Sequence, residues 1–494
     1  MNLQKSIAWG ANENPIQLPF ELFGKKEVTP EFMSRHILIM GESGSGKTAS
    51  MIEPILEGLI SHVTKEGNQY AGLVIDPKNE LREFIQKLTV KIPERVLDLN
   101  QSGNIFYGFK GMEKMSVADK LEYLFNMFTS PPSGDNAIFS MSGLVLLRDM
   151  GNLEATYFNK TRQSLFTEWL KEVKPDSPDT ANFYDGLLFF FESVQQKRTY
   201  NNSGSIEKLM TMLAAHDLDS MREATMLKQY EGKGRIVDDL LKQFFYYTSY
   251  LMPMLNVVTS KSFRQAVDLN LNMKSAHSID LESVLDKQRI VIFTPKTLIE
   301  TDVAIAKILK KQLFDYTFNR QNKKAPLIYI ADEFQNFIST DEASGEHNFL
   351  DRCRSYRMTC VLATQSYESL QQKAIMQSAE VGASAVKGII NNTSTKVFFK
   401  GSNPETEAYV MNLIPSAPVL NALHVVKVRP LTSLRTGECY YLNSDGEWGV
   451  QQVNIDDFKV RMNKLKLAPE CHPSQPAALP EGTGGSPSMS MVMP

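Results

Sequence analysis

The segment HILIMGESGSGKTAS, residues 36 to 50, constrains the fold more than any other stretch of the chain. An apolar run from His36 to Met40 enters a Gly-x-x-x-x-Gly-Lys-Thr loop, Gly41 to Thr48. Met51, Ile52, Ile55, Leu56 and Leu59 then follow at helical spacing. Strand, loop and helix in that order are the context a phosphate-binding loop requires. Gly44 and Gly46 free backbone N–H groups, with that of Ser45 between them, to wrap a β-phosphate at a helix amino terminus. Lys47 reaches the β and γ oxygens, and the Thr48 hydroxyl is a ligand for Mg²⁺. Such a loop serves kinases, switches, pumps and motors alike, so the rest of the chain must say what the nucleotide drives.

Four more apolar runs have the density of a parallel sheet covered on both faces: AGLVIDP (71–77), QRIVIFTP (288–295), APLIYIADE (325–333) and MTCVLATQS (358–366). The expected class is therefore α/β with a mostly parallel central sheet. Asp332 lies 285 positions after Lys47, far more than one compact nucleotide-binding unit needs. Residues 112–235 are rich in Leu, Met, Phe, Lys and Glu at period 3.6, which predicts an inserted all-α domain between motor segments 1–111 and 236–462. STKVFFKG and GECYYLNSDGEWGVQQV predict further strands, the latter a hairpin around Ser444, Asp445 and Gly446. Residues 463–494 are dominated by Pro, Gly and Ser and are expected to be a disordered tail.

Composition excludes several classes. With 42% hydrophobic and 22% charged residues over 494 positions, the chain has the profile of a soluble multidomain protein. Residues 1–35 lack the apolar core of a signal peptide. The longest uncharged run, residues 243–260, carries Pro253, Asn256 and several hydroxyls, and reads as a buried helix and loop rather than a membrane span. Its four cysteines form no Cys-x-x-Cys pair and point to neither a disulfide framework nor a metal site, which fits a reducing cytoplasm. A net charge of −3 means that any nucleic-acid contact is local, as from side chains lining a channel.

The chemistry centres on three further stretches. In LIYIADEFQNF, Asp332 at the carboxyl end of a strand can hold the Mg²⁺ water shell while Glu333 polarises an attacking water. In DRCRSYRMTCVLATQS, Gln365 at the tip of the neighbouring strand is placed to sense a γ-phosphate or its water. Arg352, Arg354 and Arg357 compete for the role of a cation that reaches across a subunit boundary, and Arg354 is favoured. Asp76 and Lys78 in VIDPKNEL end a strand on the same edge, where they either position nucleotide, couple to a next subunit or simply make an Asp-Pro turn.

Taken in order, RHILIMGESGSGKT, GLVIDPKNEL, IYIADEFQNF with RCRSYRMTCVLATQS, NNTSTKVFFKGSNPETEAYV and GECYYLNSDGEW resemble the type IV secretion coupling proteins, conjugative ATPases related to septal and HerA-type DNA translocases. The resemblance implies a RecA-like P-loop ATPase using ATP and Mg²⁺, assembled as a homo-hexamer that pumps DNA through its centre towards a secretion channel. It implies Lys47 and Thr48 as phosphate and magnesium residues, Asp332 and Glu333 as the Walker B pair, Arg354 as arginine finger, Gln365 as sensor, and Arg35 near the nucleotide. It further implies that the all-α domain meets a relaxase or other substrate-processing protein, and that secretion-channel ATPases or membrane components are partners. Two departures stand out: no amino-terminal membrane helices precede the first strand, so inner-membrane docking would be peripheral and through partners, and Asn79 occupies a turn position where the family favours glycine. A HerA-like translocase in mobile-element maintenance, repair or defence, and an ATP-dependent adaptor for protein substrates, are the competing readings.

Overall fold

The computed structural model describes residues 9, 13–128, 251–258, 260–269, 277–341, 345–414, 419–421, 424–426 and 428–453. The expected all-α segment is thus described only as far as residue 128, and residues 129–235 and the expected tail, 463–494, lie outside the described residues.

Fifteen strands are numbered along the described chain. A hairpin, β1 (Ile16–Leu22) and β2 (Lys25–Val28), precedes β3 (Ile37–Met40). There follow β4 (Ala71–Ile75), β5 (Val96–Asp98), β6 (Phe106–Tyr107), β7 (Val267–Asp268), β8 (Ile290–Phe293), β9 (Leu327–Ala331), β10 (Met358–Thr364) and β11 (Thr395–Phe399). The series ends with β12 (Val419–Asn421), β13 (His424–Val426), β14 (Glu438–Leu442) and β15 (Trp448–Gln452). Nine of them form one sheet in the order β15-β14-β11-β3-β10-β9-β4-β8-β5. From β11 to β5 all neighbours are parallel, while β14 and β15 add an antiparallel edge.

The apolar runs explain the arrangement. Every residue of β3, β4, β8, β9, β10 and β11 is buried, as expected where helices cover both faces and no side-chain alternation is needed. The main cover on one face is the helix Glu300–Asn319, which buries Ile305, Ile308, Leu309 and Leu313. The helix Val117–Phe128 joins the same core through Leu121, Leu124 and Phe125. The hairpin expected around Ser444 to Gly446 is present, closed by Asn443 and Glu447, with Gly446 at φ 82°. No helix among the described residues is long and apolar enough to cross a membrane.

Parallel strands have a common direction, so the sheet has two chemically distinct edges. The loops that leave β3, β4, β9, β10 and β11 all emerge at the carboxyl edge, where open α/β sheets bind ligands at the point at which strand order reverses. Here β3 lies between β10 and β11, and β4 lies three strands away, beyond β10 and β9.

Candidate active site

The loop after β3 is anchored to both neighbouring strand ends. The Gly41 amide donates to the Thr364 carbonyl at 3.2 Å, and that of Glu42 to the Lys400 carbonyl at 3.0 Å. Gly44 (φ 77°) and Gly46 (φ 98°) take the left-handed conformation that glycine alone adopts freely. At Gly46 a Cβ would also come within 2.8 Å of the Gly437 nitrogen, because the Gly437 amide donates to the Ser45 carbonyl. A wide turn, Thr48–Ile52, leads into the helix Glu53–Ser61. Lys47 is 4% exposed and lies over the loop, donating to the Gly41 carbonyl and, at 2.9 Å, to that of Glu42. Burial pulls its ammonium below the ordinary lysine range, against the attraction of Asp332.

The acids converge from β9. Asp332 is fully buried: its Oδ1 accepts from the Glu333 amide at 2.9 Å, and its Oδ2 has no hydrogen-bond donor. Burial raises its pKa, with Lys78 opposing. Glu333 sits in the left-handed region at φ 50°, an energetically costly conformation for a residue with a Cβ and one that concentrates at functional sites. Its Oε2 accepts from Gln335 at 2.6 Å and from Gln365 at 2.7 Å, and its Oε1 lies 2.6 Å from Lys78 Nζ. Burial alone would raise the Glu333 pKa; the Lys78 bond and charge, with the two amides, bring it below the usual range. Asp76, at the end of β4, accepts from the Arg82 amide at 2.8 Å and is pushed by burial to about 6. The Asp-Pro-Lys turn closes with Asn79 at φ 64°, the geometry that Asn tolerates in place of glycine.

Thus Gly41, Gly44, Ser45, Gly46, Lys47, Thr48, Asp332, Glu333 and Gln365 share the carboxyl edge. Beside them, a cleft of about 190 Å³ is lined by Met40, Gly41, Gln365, Phe398, Asn403 and Leu431. The ligands offered suit Mg²⁺, which takes oxygen: a buried carboxylate oxygen on Asp332 that has no hydrogen-bond donor, and the Thr48 hydroxyl on the loop. Lys78 is the main residue that sequence reasoning left undecided; its place after β4 was the available signal.

Two expected residues are elsewhere. Arg354 follows the helix Glu346–Cys353 and precedes β10, so the seven-residue strand, about 23 Å long, separates it from the Gln365 end. Arg35 precedes β3 on the same amino edge, held by the Ser444 carbonyl at 3.2 Å, Asp445 at 3.4 Å and Glu31 at 3.5 Å. The expectation that Arg35 lies near the nucleotide is therefore not met within one chain, because the β14–β15 hairpin tip reaches back to the amino edge and holds it there. A grouping that the sequence did not point to is that of Cys353 and Cys360 with His36 in the core. The Cys360 amide donates to His36 Nδ1 at 3.2 Å, which leaves the ring proton on Nε2, 3.5 Å from Cys353 Sγ. An N–H facing the sulfur is the wrong polarity for a metal ligand, so the trio is a hydrogen-bonded core contact.

Comparison with known proteins follows the same lines. Residues 326–420 match the family described as the TraM recognition site of TraD and TraG. No curated protein matches the sequence. Among solved structures, the plasmid coupling protein TrwB in complex with a non-hydrolysable ATP analogue aligns at 13% identity and TM-score 0.53 over 90% of both chains. The unbound bacterial conjugative coupling protein TrwBdeltaN70 aligns at 14% identity and TM-score 0.50, over 89% of this chain and 88% of that one. The chain thus carries a segment, 326–420, that matches this family, within a fold similar to that of the coupling protein TrwB.

Proposed function

We propose that this chain is an ATP-hydrolysing DNA translocase that delivers a relaxosome-type nucleoprotein to a type IV secretion channel during conjugation. The observation that carries the reading is Glu333, fixed by Gln365 from the neighbouring strand and adjacent to the donor-poor Asp332, on the sheet edge that also bears the Gly41–Thr48 loop. Two solved relatives, TrwB with an ATP analogue and TrwB with ADP and Mg²⁺, bind the ligands this edge is suited to.

The loop amides and Lys47 bind the β- and γ-phosphates. Thr48 and Asp332 would hold Mg²⁺, which would supply neutralisation of phosphate charge. Glu333 accepts the hydrogen bond of the attacking water, and Gln365 fixes the carboxylate in line with the phosphorus. Arg354 serves a neighbouring subunit in a homo-hexamer, since its own loop is a strand length away, and Arg35 shares that boundary. DNA passes through the ring. The segment 326–420, by the description of its family, and the 112–235 insertion are the candidate surfaces for substrate-processing partners. The protein works at the cytoplasmic face of the inner membrane, docked through partner proteins.

The test is ATP hydrolysis by purified protein with and without single- and double-stranded DNA, together with DNA transfer by a Lys47→Ala strain. Stimulation by DNA and loss of transfer are expected. A turnover indifferent to DNA, with transfer intact in the variant, would refute the reading.

A further inference from the structure

Gln335 and Gln365 both donate to Glu333 Oε2, and the Lys78 ammonium stands 2.6 Å from Oε1 as its ion-pair partner. With both amides on Oε2, Oε1 is the oxygen left to accept from an attacking water, and the ammonium beside it must move aside for the water to approach there. The two amides are neutral, and Gln335 belongs to the buried turn after β9. Lys78 differs in three respects. It carries charge, its side chain is 30% exposed, and it projects on a flexible stem from the short Pro77–Asn79 connection.

The same ammonium lies 3.7 Å from Asp332 Oδ2, the buried oxygen left without a hydrogen-bond donor. Asp332 is the residue that would hold a divalent cation, whose charge would disfavour the Lys78 ammonium at that oxygen. A triphosphate on the Gly41–Thr48 loop at the same time places anionic γ oxygens on this edge, and lysine binds phosphate as a mobile point charge. Resting on the ATPase reading above, we propose that Lys78 is a second catalytic lysine, which exchanges the Glu333 carboxylate for the γ-phosphate when Mg–ATP binds. One movement then does two things: it releases Glu333 Oε1 to accept from water, and it adds a cation to the oxygens that gain charge in the transition state. In the step that follows, a bond forms from the water oxygen to the γ-phosphorus and the bond to the bridging oxygen breaks. ADP leaves with that oxygen, and the water proton passes by way of Glu333 to the released phosphate. Bound ADP offers no γ oxygens, so Lys78 stays on Glu333 and the site is held idle.

The test uses the full-length chain with Lys78→Met and Lys78→Arg, measuring affinity for Mg–ADP and for a Mg-bound non-hydrolysable ATP analogue, and kcat for ATP. With Met, Mg–ADP affinity is expected to hold within about twofold, analogue affinity to fall about tenfold and kcat about 10²-fold, the scale of losing one preorganised donor to a transition-state oxyanion. Arg is expected to recover most of the loss because it restores the charge. Unchanged preference for the analogue over ADP in the Met variant overturns the proposal, because a lysine serving only as counter-ion to Glu333 would not distinguish them. Wild-type kcat in that variant, or equal loss of ADP binding, overturns it as well. If Glu333→Gln abolishes turnover while Lys78→Met does not reduce it, only this inference falls; if the wild-type chain binds but never hydrolyses ATP, the ATPase reading falls with it.

Discussion

The two edges of the nine-stranded sheet hold their functional side chains in opposite ways. At the carboxyl edge Asp332 is fully buried, Glu333 is 6% exposed, accepts from two amides and is ion-paired with a lysine, and Lys47 lies buried over its own loop. At the amino edge Arg354 is 49% exposed and meets Glu31 at 3.4 Å, while Arg35 shares Glu31 and reaches Asp445. Exposed ion pairs of this kind are worth about 0–1 kcal/mol, so these arginines are displaced cheaply, whereas rearranging the acid edge disturbs several desolvated partners. What lies beneath the arginines is rigid: Cys353, Cys360 and His36 pack in the core. A firm base with a loosely held cation suits a group that acts on a neighbouring molecule, and an interlocked cluster suits one that acts within its own.

That contrast breaks most readily at Glu333. Glu333→Gln keeps the shape and the amide contacts but removes the base, and should cut turnover about 10³-fold with ATP binding retained, measured by steady-state hydrolysis beside nucleotide titration. Undiminished turnover would mean that the acid edge is not where water is activated. Arg354→Ala should come next: loss of a finger costs about 10³-fold in kcat, yet nucleotide affinity of the same chain should be unchanged. Mixing Arg354→Ala with Lys47→Ala subunits should restore activity at mixed boundaries, and a mixture as inactive as either variant would place Arg354 within its own site.

Gln365→Ala should be milder, about 10-fold in kcat with little change in ATP affinity, because Gln335 still holds Glu333 Oε2. A loss as large as that of Glu333→Gln would show that the strand-tip amide itself acts on the phosphate. A smaller effect concerns Glu53, on the helix that follows the loop. Burial first, then the charges of Glu80 and Asp76, push its carboxyl up to about 8. A raised carboxyl pKa stabilises the fold below the unfolded value and loses that contribution as pH rises through the folded value, so stability should decline between about pH 4.5 and 8. Glu53→Gln should flatten that decline in thermal melts across this window; an unaltered slope would mean that Glu53 ionises freely. Glu31→Ala, by contrast, should shift the melting temperature by no more than a surface pair does.

Much of the acid edge was legible beforehand because parallel strands must deliver their following loops to one side. A strand ending in Asp332-Glu333 and a strand ending in Gln365 therefore had to meet the Gly41–Thr48 loop if they were neighbours. The amino edge was not legible in that way. Arg35 is next to β3 in sequence, but its partner Asp445 comes from a hairpin 410 positions away, and nothing local in either segment announces the pairing. His36, Cys353 and Cys360 escaped for the same reason: their spacing fits no metal motif, and only the register of β10 against β3 brings them together.

By itself the sequence determined the α/β class, the loop and its glycines, and the acids at the strand ends, because each depends on local geometry or on periodicity that a short window contains. Tertiary structure decided which arginines stand away from the loop, which donors engage Glu333, and that Lys78 is one of them. These are matters of strand order and of burial, and an ammonium 2.6 Å from a carboxylate 255 positions along the chain exists only once the sheet has formed.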